Sequence, residues 1–192
     1  MLRINSKIIL ALVMLLLPLL APATSGTQSF IRDLALEIRQ MLQSGNVEQA
    51  NQIFVNRFDI TKFAKLTLID HWGEFSAEER ERFIDLLGKN LQKSVRERSL
   101  FTSEDIDFDF ITKEIVHEKS GKILFKNLLK IKKGDFKLVI TAIRSGNEYK
   151  IVDYEVEGAL LSRNYRGHFN YIIRKYGKSG LFGRLEKKLS ES

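Results

Sequence analysis

Apolar positions recur with a helical period through the first hundred residues and with a strand period after that. Residues 28–44 place Ile31, Leu34, Ala35, Ile38, Met41 and Leu42 on one helical face. Gly45-Asn46 stops that helix. A second short helix is expected from Val47 to about Val55, with Val47, Ala50 and Phe54 on one side. Asp59 can cap a third, carrying Ile60, Phe63, Ala64 and Thr67, which runs to about residue 70 and is ended by Trp72-Gly73. Ser76-Ala77-Glu78-Glu79 is a capping box, with serine at the N-cap and glutamate three residues on. The helix it opens carries Phe83, Leu87, Leu91 and Val95 at four-residue spacing and should reach about Arg98. Trp72 is expected in the core.

After Ser103 the period shortens to two. Ile106, Phe108 and Phe110 alternate with Asp107, Asp109 and Ile111, and Ile123 and Phe125 alternate with Lys122, Leu124 and Lys126. Phe136 to Ile143 is rich in β-branched and apolar residues, Gly146-Asn147 signals a turn, and Tyr149 to Val156 is another strand. Four strands joined by short loops predict an antiparallel meander, ended by Gly158. Residues 162–175 return to helix with Tyr165, Phe169, Ile172 and Ile173 apolar, Gly177 and Gly180 make a loop, and Leu181 to Leu189 is a last helix. Helices, then strands, then helices define an α+β fold, with a four-stranded antiparallel sheet packed on a helical part.

The N-terminus stands outside this pattern. Arg3 and Lys7 precede an unbroken apolar run from Ile8 to Leu20, and Ala21-Pro22-Ala23 fits a small-x-small cleavage site. The run is too short to span a bilayer core, which takes about 20 residues, and Pro18 interrupts it. Residues 1–23 therefore read as a secretory signal peptide and 24–192 as the mature domain. Export together with the absence of cysteine suggests a bacterial periplasm, and a mature protein without a lipid-modified N-terminal cysteine.

Composition narrows the chemistry. The 192 residues contain no cysteine, which excludes disulfides, thiolate metal sites and a cysteine nucleophile. The histidines, His71, His117 and His168, have no metal-helix or triad spacing. Gly177-Lys178-Ser179 lacks the upstream glycine of a phosphate loop, because that position is Ile172. Asp107 and Asp109 share a strand face but lack the other ligands of a calcium loop, so a solvated face is expected. His168 is read as a surface or structural residue. No nucleophile–base pair is visible, so the expectation is no enzyme, no metal and no cofactor.

The chain carries 31 Lys and Arg against 24 Asp and Glu, a net charge of +7. Losing Arg3 and Lys7 leaves 29 against 24, or +5. An exported protein meets few nucleic acids, so the excess points instead to anionic lipid or an acidic partner. It is concentrated near the C-terminus, where Arg163, Arg166, Arg174, Lys175, Lys178, Arg184, Lys187 and Lys188 face Glu186 alone. Arg166, within an apolar helix start, is expected to be structural. Arg163, Arg174, Lys175 and Lys178 are the candidates for docking a headgroup or partner. Thirteen phenylalanines, against five tyrosines and one tryptophan, supply an excess of purely apolar rings.

The stretch from Tyr149 to Phe169, YKIVDYEVEGALLSRNYRGHF, closely resembles a signature of the MlaC, or toluene-tolerance, family of periplasmic phospholipid-binding proteins. Tyr149-Lys150-Ile151, Asp153, Val156-Glu157-Gly158, Leu161, Asn164-Tyr165-Arg166 and Phe169 match that pattern. Upstream, Phe58-Asp59 and the Trp72, Ser76, Arg82-Phe83 run resemble it too, as does Gly177 through Leu185 downstream. Three positions depart from it. Tyr149 stands where tryptophan is usual, Leu160 where a small hydroxyl residue is usual, and Ser94-Val95 where a tyrosine often falls. A hopanoid-associated branch shares the fold.

The resemblance implies a twisted sheet packed on helices, with phospholipid acyl chains held between the layers. It implies a periplasmic carrier that works without catalysis. Such a carrier moves lipid between an outer-membrane lipoprotein complex and an inner-membrane ABC lipid transporter; apart from the resemblance, a monomer is the default expectation. The cavity residues expected on that basis are Phe83, Leu87, Leu91 and Val95 from the long helix and Leu138, Ile140 and Ile151 from the strands. Leu160, Leu161, Tyr165 and Phe169 follow from the segment after the sheet. Two other readings compete. One is an envelope adaptor with a filled core that holds an acidic partner, or a carrier of hopanoid-type lipid on the same fold. The other is a small enzyme using a polar constellation such as Asp153 with Tyr154.

Overall fold

A computed structural model describes residues 26–97 and 101–191. The segment read as a signal peptide lies outside them. Helix α1 (Gly26–Gln43) buries Phe30, Ile31, Leu34, Ile38 and Leu42, the stripe that its sequence spacing dictates. Its end is a Schellman motif. The N–H of Gly45 bonds the Leu42 carbonyl at 3.0 Å and that of Asn46 bonds the Met41 carbonyl at 2.8 Å. Gly45 takes the positive φ of 77° that the motif needs.

Helix α2 (Val47–Asn56) follows directly. Helix α3 (Ile60–Thr67) is capped by the Asp59 carboxylate, which accepts from the Lys62 N–H at 2.9 Å. It ends at Thr67, about a turn earlier than expected, and after a turn over residues 68–71 a short 3-10 helix covers Trp72–Glu74. Trp72 is half-buried rather than central, flanked by Lys65 at 5.8 Å and Arg80 at 5.3 Å from its ring centre. Helix α4 (Ala77–Glu97) opens on the capping box. The Ser76 N–H donates to Glu79 Oε2 at 2.8 Å, and the Glu79 N–H donates to Ser76 Oγ at 3.2 Å.

Five strands run in simple sequence order, each antiparallel to the next: β1 (Asp109–His117), β2 (Lys122–Ile131), β3 (Gly134–Ser145), β4 (Glu148–Val156) and β5 (Ala159–Leu160). Two details differ from the expected meander. The first strand begins at Asp109 rather than near Ile106, because Asp105 folds the preceding segment into a turn. Its buried carboxylate accepts from the Thr102 N–H and hydroxyl at 2.8 Å each and from the Lys132 N–H at 3.0 Å. Asp107 and Asp109 are both exposed. The sheet also does not stop at Gly158. Glu157 and Gly158 adopt φ of 48° and 83°, the pair of positive values a two-residue hairpin turn requires, and the chain folds back so that Leu160 pairs with Glu155.

The helical layer covers one face of this sheet. Phe125, Leu129, Leu138, Ile140 and Ala142 alternate inward from β2 and β3. A backbone tie fixes the two layers together. The Asp59 N–H bonds the Ile151 carbonyl at 2.8 Å, and the Ile151 N–H bonds the Arg57 carbonyl at 2.8 Å. Helix α5 (Leu161–Ser190) is two helices joined at Gly177, whose φ of 68° and ψ of −177° lie outside the helical region. Its second half packs on α4, where the buried Asn90 side chain donates to the Leu185 carbonyl at 3.0 Å.

Candidate functional site

Edge-to-face aromatic contacts knit a dense core at the α4–α5 end of the molecule. Phe83 meets Phe169 at 5.5 Å and Phe75 meets Phe182 at 6.0 Å. Toward the C-terminal end of α4 the packing opens. A cavity of about 670 Å³ lies between the sheet and the helices, within the roughly 300–1,000 Å³ typical of ligand sites.

Each layer supplies apolar side chains to its wall. Leu34 and Ile38 come from α1, Phe54 from α2, and Leu91 and Val95 from α4. Phe110, Leu129, Phe136, Leu138, Tyr154 and Val156 come from the strands, and Leu161 and Tyr165 from α5. Phe54, Phe110, Phe136, Tyr154 and Tyr165 are only partly buried although they belong to the apolar interior. In each, one flank packs against neighbours and the other faces open space, whereas Leu34, Ile38, Leu91, Leu129 and Leu138 line the same cavity with 7% exposure or less.

Polar groups gather at the opening. Asn164, His168, Lys133 and Lys188 line it and are exposed. Lys188 Nζ donates to Ser94 Oγ at 2.8 Å. Inside, Asn51 spends its polar atoms on the wall itself. Its Nδ2 donates to the Val47 and Phe101 carbonyls at 2.8 and 3.1 Å, and its Oδ1 accepts from the Phe101 N–H at 2.9 Å. The loop before β1 is thereby held against α2 with Phe101 lining the cavity. Asn127 does the same within the sheet, donating to the Phe125 and Leu138 carbonyls and accepting from the Thr112 hydroxyl.

Asp153 and Tyr154 do not form a reactive pair. Burial pushes the Asp153 carboxyl up, against hydrogen bonds from Ser162 and from the Tyr154 N–H. Its Oδ1 accepts from the Tyr154 N–H at 2.9 Å and the Ser162 N–H at 3.1 Å, so it caps the start of α5 rather than lining the cavity. Burial pushes the Tyr154 phenol up to about 12, so it stays protonated at neutral pH, with its ring held edge-on to Phe54 and Phe58 at 5.2 and 6.0 Å. Among the described residues no cluster of three or more His, Asp or Glu side chains could hold a metal.

The structure divides the residues expected from sequence. Leu91, Val95, Leu138, Leu161 and Tyr165 line the cavity. Phe83, Leu87, Ile140, Ile151 and Phe169 are in the solid core, each 2% exposed or less. Leu160 sits on β5, outside the lining. Arg163, Arg174 and Lys175 are exposed on α5. Lys178 is committed internally, paired with Glu79 at 2.6 Å and donating to the Glu74 carbonyl at 3.1 Å. Arg166 is structural, as expected, and His168 is at the surface, where it lines the opening. Sequence reasoning missed Phe54, Phe101, Phe110 and Phe136, although the phenylalanine excess was their signal.

A second hollow of about 620 Å³ lies between α1 and β1, with Arg32, Arg39, Lys113 and Glu114 on its wall beside Ile31 and Leu36. Phe110 borders both hollows. The larger cavity is the one with a mainly apolar wall and a polar opening.

The sheet and the helices thus leave a mainly apolar hollow between them. The family model described as MlaC protein matches residues 28–187, and the chain belongs to the MlaC family. Its fold is similar to that of the phospholipid-binding protein of Ralstonia solanacearum, solved in complex with a phospholipid at 1.53 Å. The TM-score is 0.69 and the identity 16%, over 85% of this chain and 97% of that one. None of the curated proteins matches it. No helix among the described residues is long and apolar enough to cross a membrane.

Proposed function

We propose that this protein is a periplasmic phospholipid carrier that holds acyl chains in the cavity between sheet and helices, with the headgroup at the polar opening. The observation that carries this reading is the cavity of about 670 Å³, walled by partly buried aromatic and aliphatic side chains and opening among Asn164, His168 and Lys188. The family, and a fold shared with a protein solved holding a phospholipid, support it.

The energetics suit the task. A phospholipid has about 30 methylenes, and each is worth about 0.8 kcal/mol when removed from water. A carrier must therefore supply more than about 20 kcal/mol of apolar shelter and needs no reactive group. On this reading the protein is a monomer after removal of residues 1–23. It exchanges lipid with an inner-membrane ABC transporter and an outer-membrane lipoprotein complex, and uses neither catalysis nor nucleic acid. Leu91, Val95, Leu138, Leu161 and Tyr165 are the expected residues that touch the acyl chains. An adaptor with a filled core would have no use for the hollow. An enzyme would need a polar constellation in the wall, whereas the Asp153 carboxylate beside Tyr154 is spent on backbone N–H groups.

The test is chemical. Protein purified from its native envelope should release phospholipid into an organic extract, near one molecule per chain, when analysed by mass spectrometry. Folded protein that yields no lipid overturns the reading, and a hopanoid-type lipid in place of phospholipid overturns the ligand assignment.

A further inference from the structure

The reversal at Gly177 builds a surface that the cavity itself does not explain. Asn164, His168, Tyr171 and Lys175 recur at intervals of four, three and four residues, which sets them in one stripe along the first half of α5. The first two line the cavity opening. The last two continue the stripe away from it. Lys175 Nζ donates to the Tyr171 hydroxyl at 3.2 Å and lies 5.3 Å from the Tyr176 ring centre. From the second half of α5, the Arg184 guanidinium lies 4.6 Å over that same Tyr176 ring. Arg174 and Lys187 are exposed alongside. The two half-helices thus bring cations around two tyrosines, and Lys188 carries the charge back to the opening.

The two tyrosines are unusual in this molecule. Tyr171 is 55% exposed and Tyr176 is 42% exposed, and no other Phe, Tyr or Trp side chain among the described residues is as open. The charge is also one-sided. Glu186, the acidic residue among positions 163–188, is paired with Arg82 of α4. Arg166 and Lys178 are used internally and Lys187 pairs with Glu191 at 3.6 Å, so Arg174, Lys175 and Arg184 carry most of the field.

We propose that this surface docks the protein on an anionic lipid bilayer, with the cavity opening turned toward the headgroups. The proposal rests on the carrier reading, because only a lipid cargo gives a reason to face the opening to a membrane. Three features favour a bilayer over an acidic protein. Tyrosine beside lysine and arginine suits the headgroup layer, which is apolar on one side and wet on the other. A cluster of cations is drawn to anionic headgroups without any shaped recess. And the surface borders the place where cargo must leave. Each cation removed should weaken binding about fivefold at low salt.

The experiment is vesicle co-sedimentation of the mature protein at 50 and 500 mM salt. The vesicles are 30% phosphatidylglycerol in phosphatidylcholine, or phosphatidylcholine alone. The wild type should sediment with anionic vesicles at low salt and release at high salt. Arg174→Glu/Lys175→Glu, both exposed and outside the core, should lose binding by more than tenfold, and Tyr171→Ser should weaken it. Lys119→Glu, on the distant β1–β2 turn, should leave it unchanged. Lipid content of each variant is measured by extraction in parallel. Carried lipid with lost docking in the double variant supports the proposal. Docking without any carried lipid sinks the carrier reading and leaves the surface standing. No binding by the wild type, equal binding to neutral vesicles, or an unaffected double variant overturns the proposal. Binding to an acidic protein with no affinity for vesicles overturns it as well.

Discussion

Arg166 donates twice to the carbonyl oxygen of Leu66, from Nε at 3.2 Å and from Nη2 at 3.0 Å. Leu66 lies in the last turn of α3, whose terminal carbonyls have no partner within the helix. A planar guanidinium placed there satisfies one of them and puts positive charge at the negative end of the helix. The same contact fixes the start of α5 against α3, where Tyr165 meets Phe63 at 5.8 Å. Arg166→Ala should therefore lower the urea midpoint by an amount equivalent to about 1.5–3 kcal/mol. Arg166→Lys should recover only part of the loss, because an ammonium lacks the fork. An unchanged midpoint in Arg166→Ala would remove the structural role.

Core and wall should respond differently to substitution. Phe83 is fully buried and packs on Phe75 and Phe169, so Phe83→Ala should cost about 3–5 kcal/mol of stability. Phe136 has one flank on the cavity, and Phe136→Ala should cost less than about 1.5 kcal/mol while altering what the cavity holds. Leu138→Arg places a charge in the apolar wall and should abolish lipid in the organic extract of folded protein. Full lipid content in Leu138→Arg, with native circular dichroism, would remove Leu138 from the binding wall.

The helical stripes made the elements legible, and the same stripes hid the cavity. Phe83, Leu87, Leu91 and Val95 form one unbroken row, yet the first two meet solid core and the last two face a hollow. A period of four tells which side of a helix points inward; it does not tell whether the opposing surface stands in contact or several ångströms away. Ile140 and Leu138 show the same thing on β3, where one is core and the other is wall. The late start of β1 had a different origin. Alternation from Ile106 to Phe110 looked like a strand, but the hydrogen bonds to Asp105 outcompete pairing there, and only tertiary structure brings the Lys132 N–H to that carboxylate. The basic C-terminal stretch was legible as charge, while its arrangement around Tyr171 and Tyr176 depends on a reversal that a glycine alone did not announce.

Gly177 is where that reversal is tested. Its φ of 68° with ψ of −177° is a region that residues with a Cβ essentially never occupy. A Cβ there would meet nothing within 4 Å, so the cost of Gly177→Ala is one of backbone alone, about 1–3 kcal/mol. At Gly180 the reasoning is steric, because an added Cβ would fall 2.3 Å from the Tyr176 Cβ. Both variants should lower the melting temperature, and Gly180→Ala should in addition displace Tyr176 from Arg184. An unaltered melting temperature in Gly177→Ala would show that the two halves do not need this backbone conformation.

Two buried aspartates should bend the pH–stability curve in opposite senses. For Asp105, burial pushes the carboxyl up, but hydrogen bonds from the Thr102 N–H and hydroxyl and the Lys132 N–H, with the charge of Lys133, outweigh it, and the net shift is downward from 3.8. The folded state then binds the proton less readily than the unfolded state. The stabilisation is present above pH 3.8 and is lost as pH falls through the lower folded value. For Asp153, burial dominates and the net shift is upward from 3.8. Between 3.8 and that higher value the unfolded chain has already released its proton while the folded chain keeps it, so stability falls as pH rises. Urea midpoints measured from pH 2.5 to 6 should show both limbs. Asp105→Asn should flatten the acid limb, and Asp153→Asn should flatten the fall above pH 3.8, where the asparagine oxygen still accepts from Tyr154 and Ser162. If Asp153→Asn steepened that fall, the carboxyl would have to be ionised in the fold, and burial would not be what governs it.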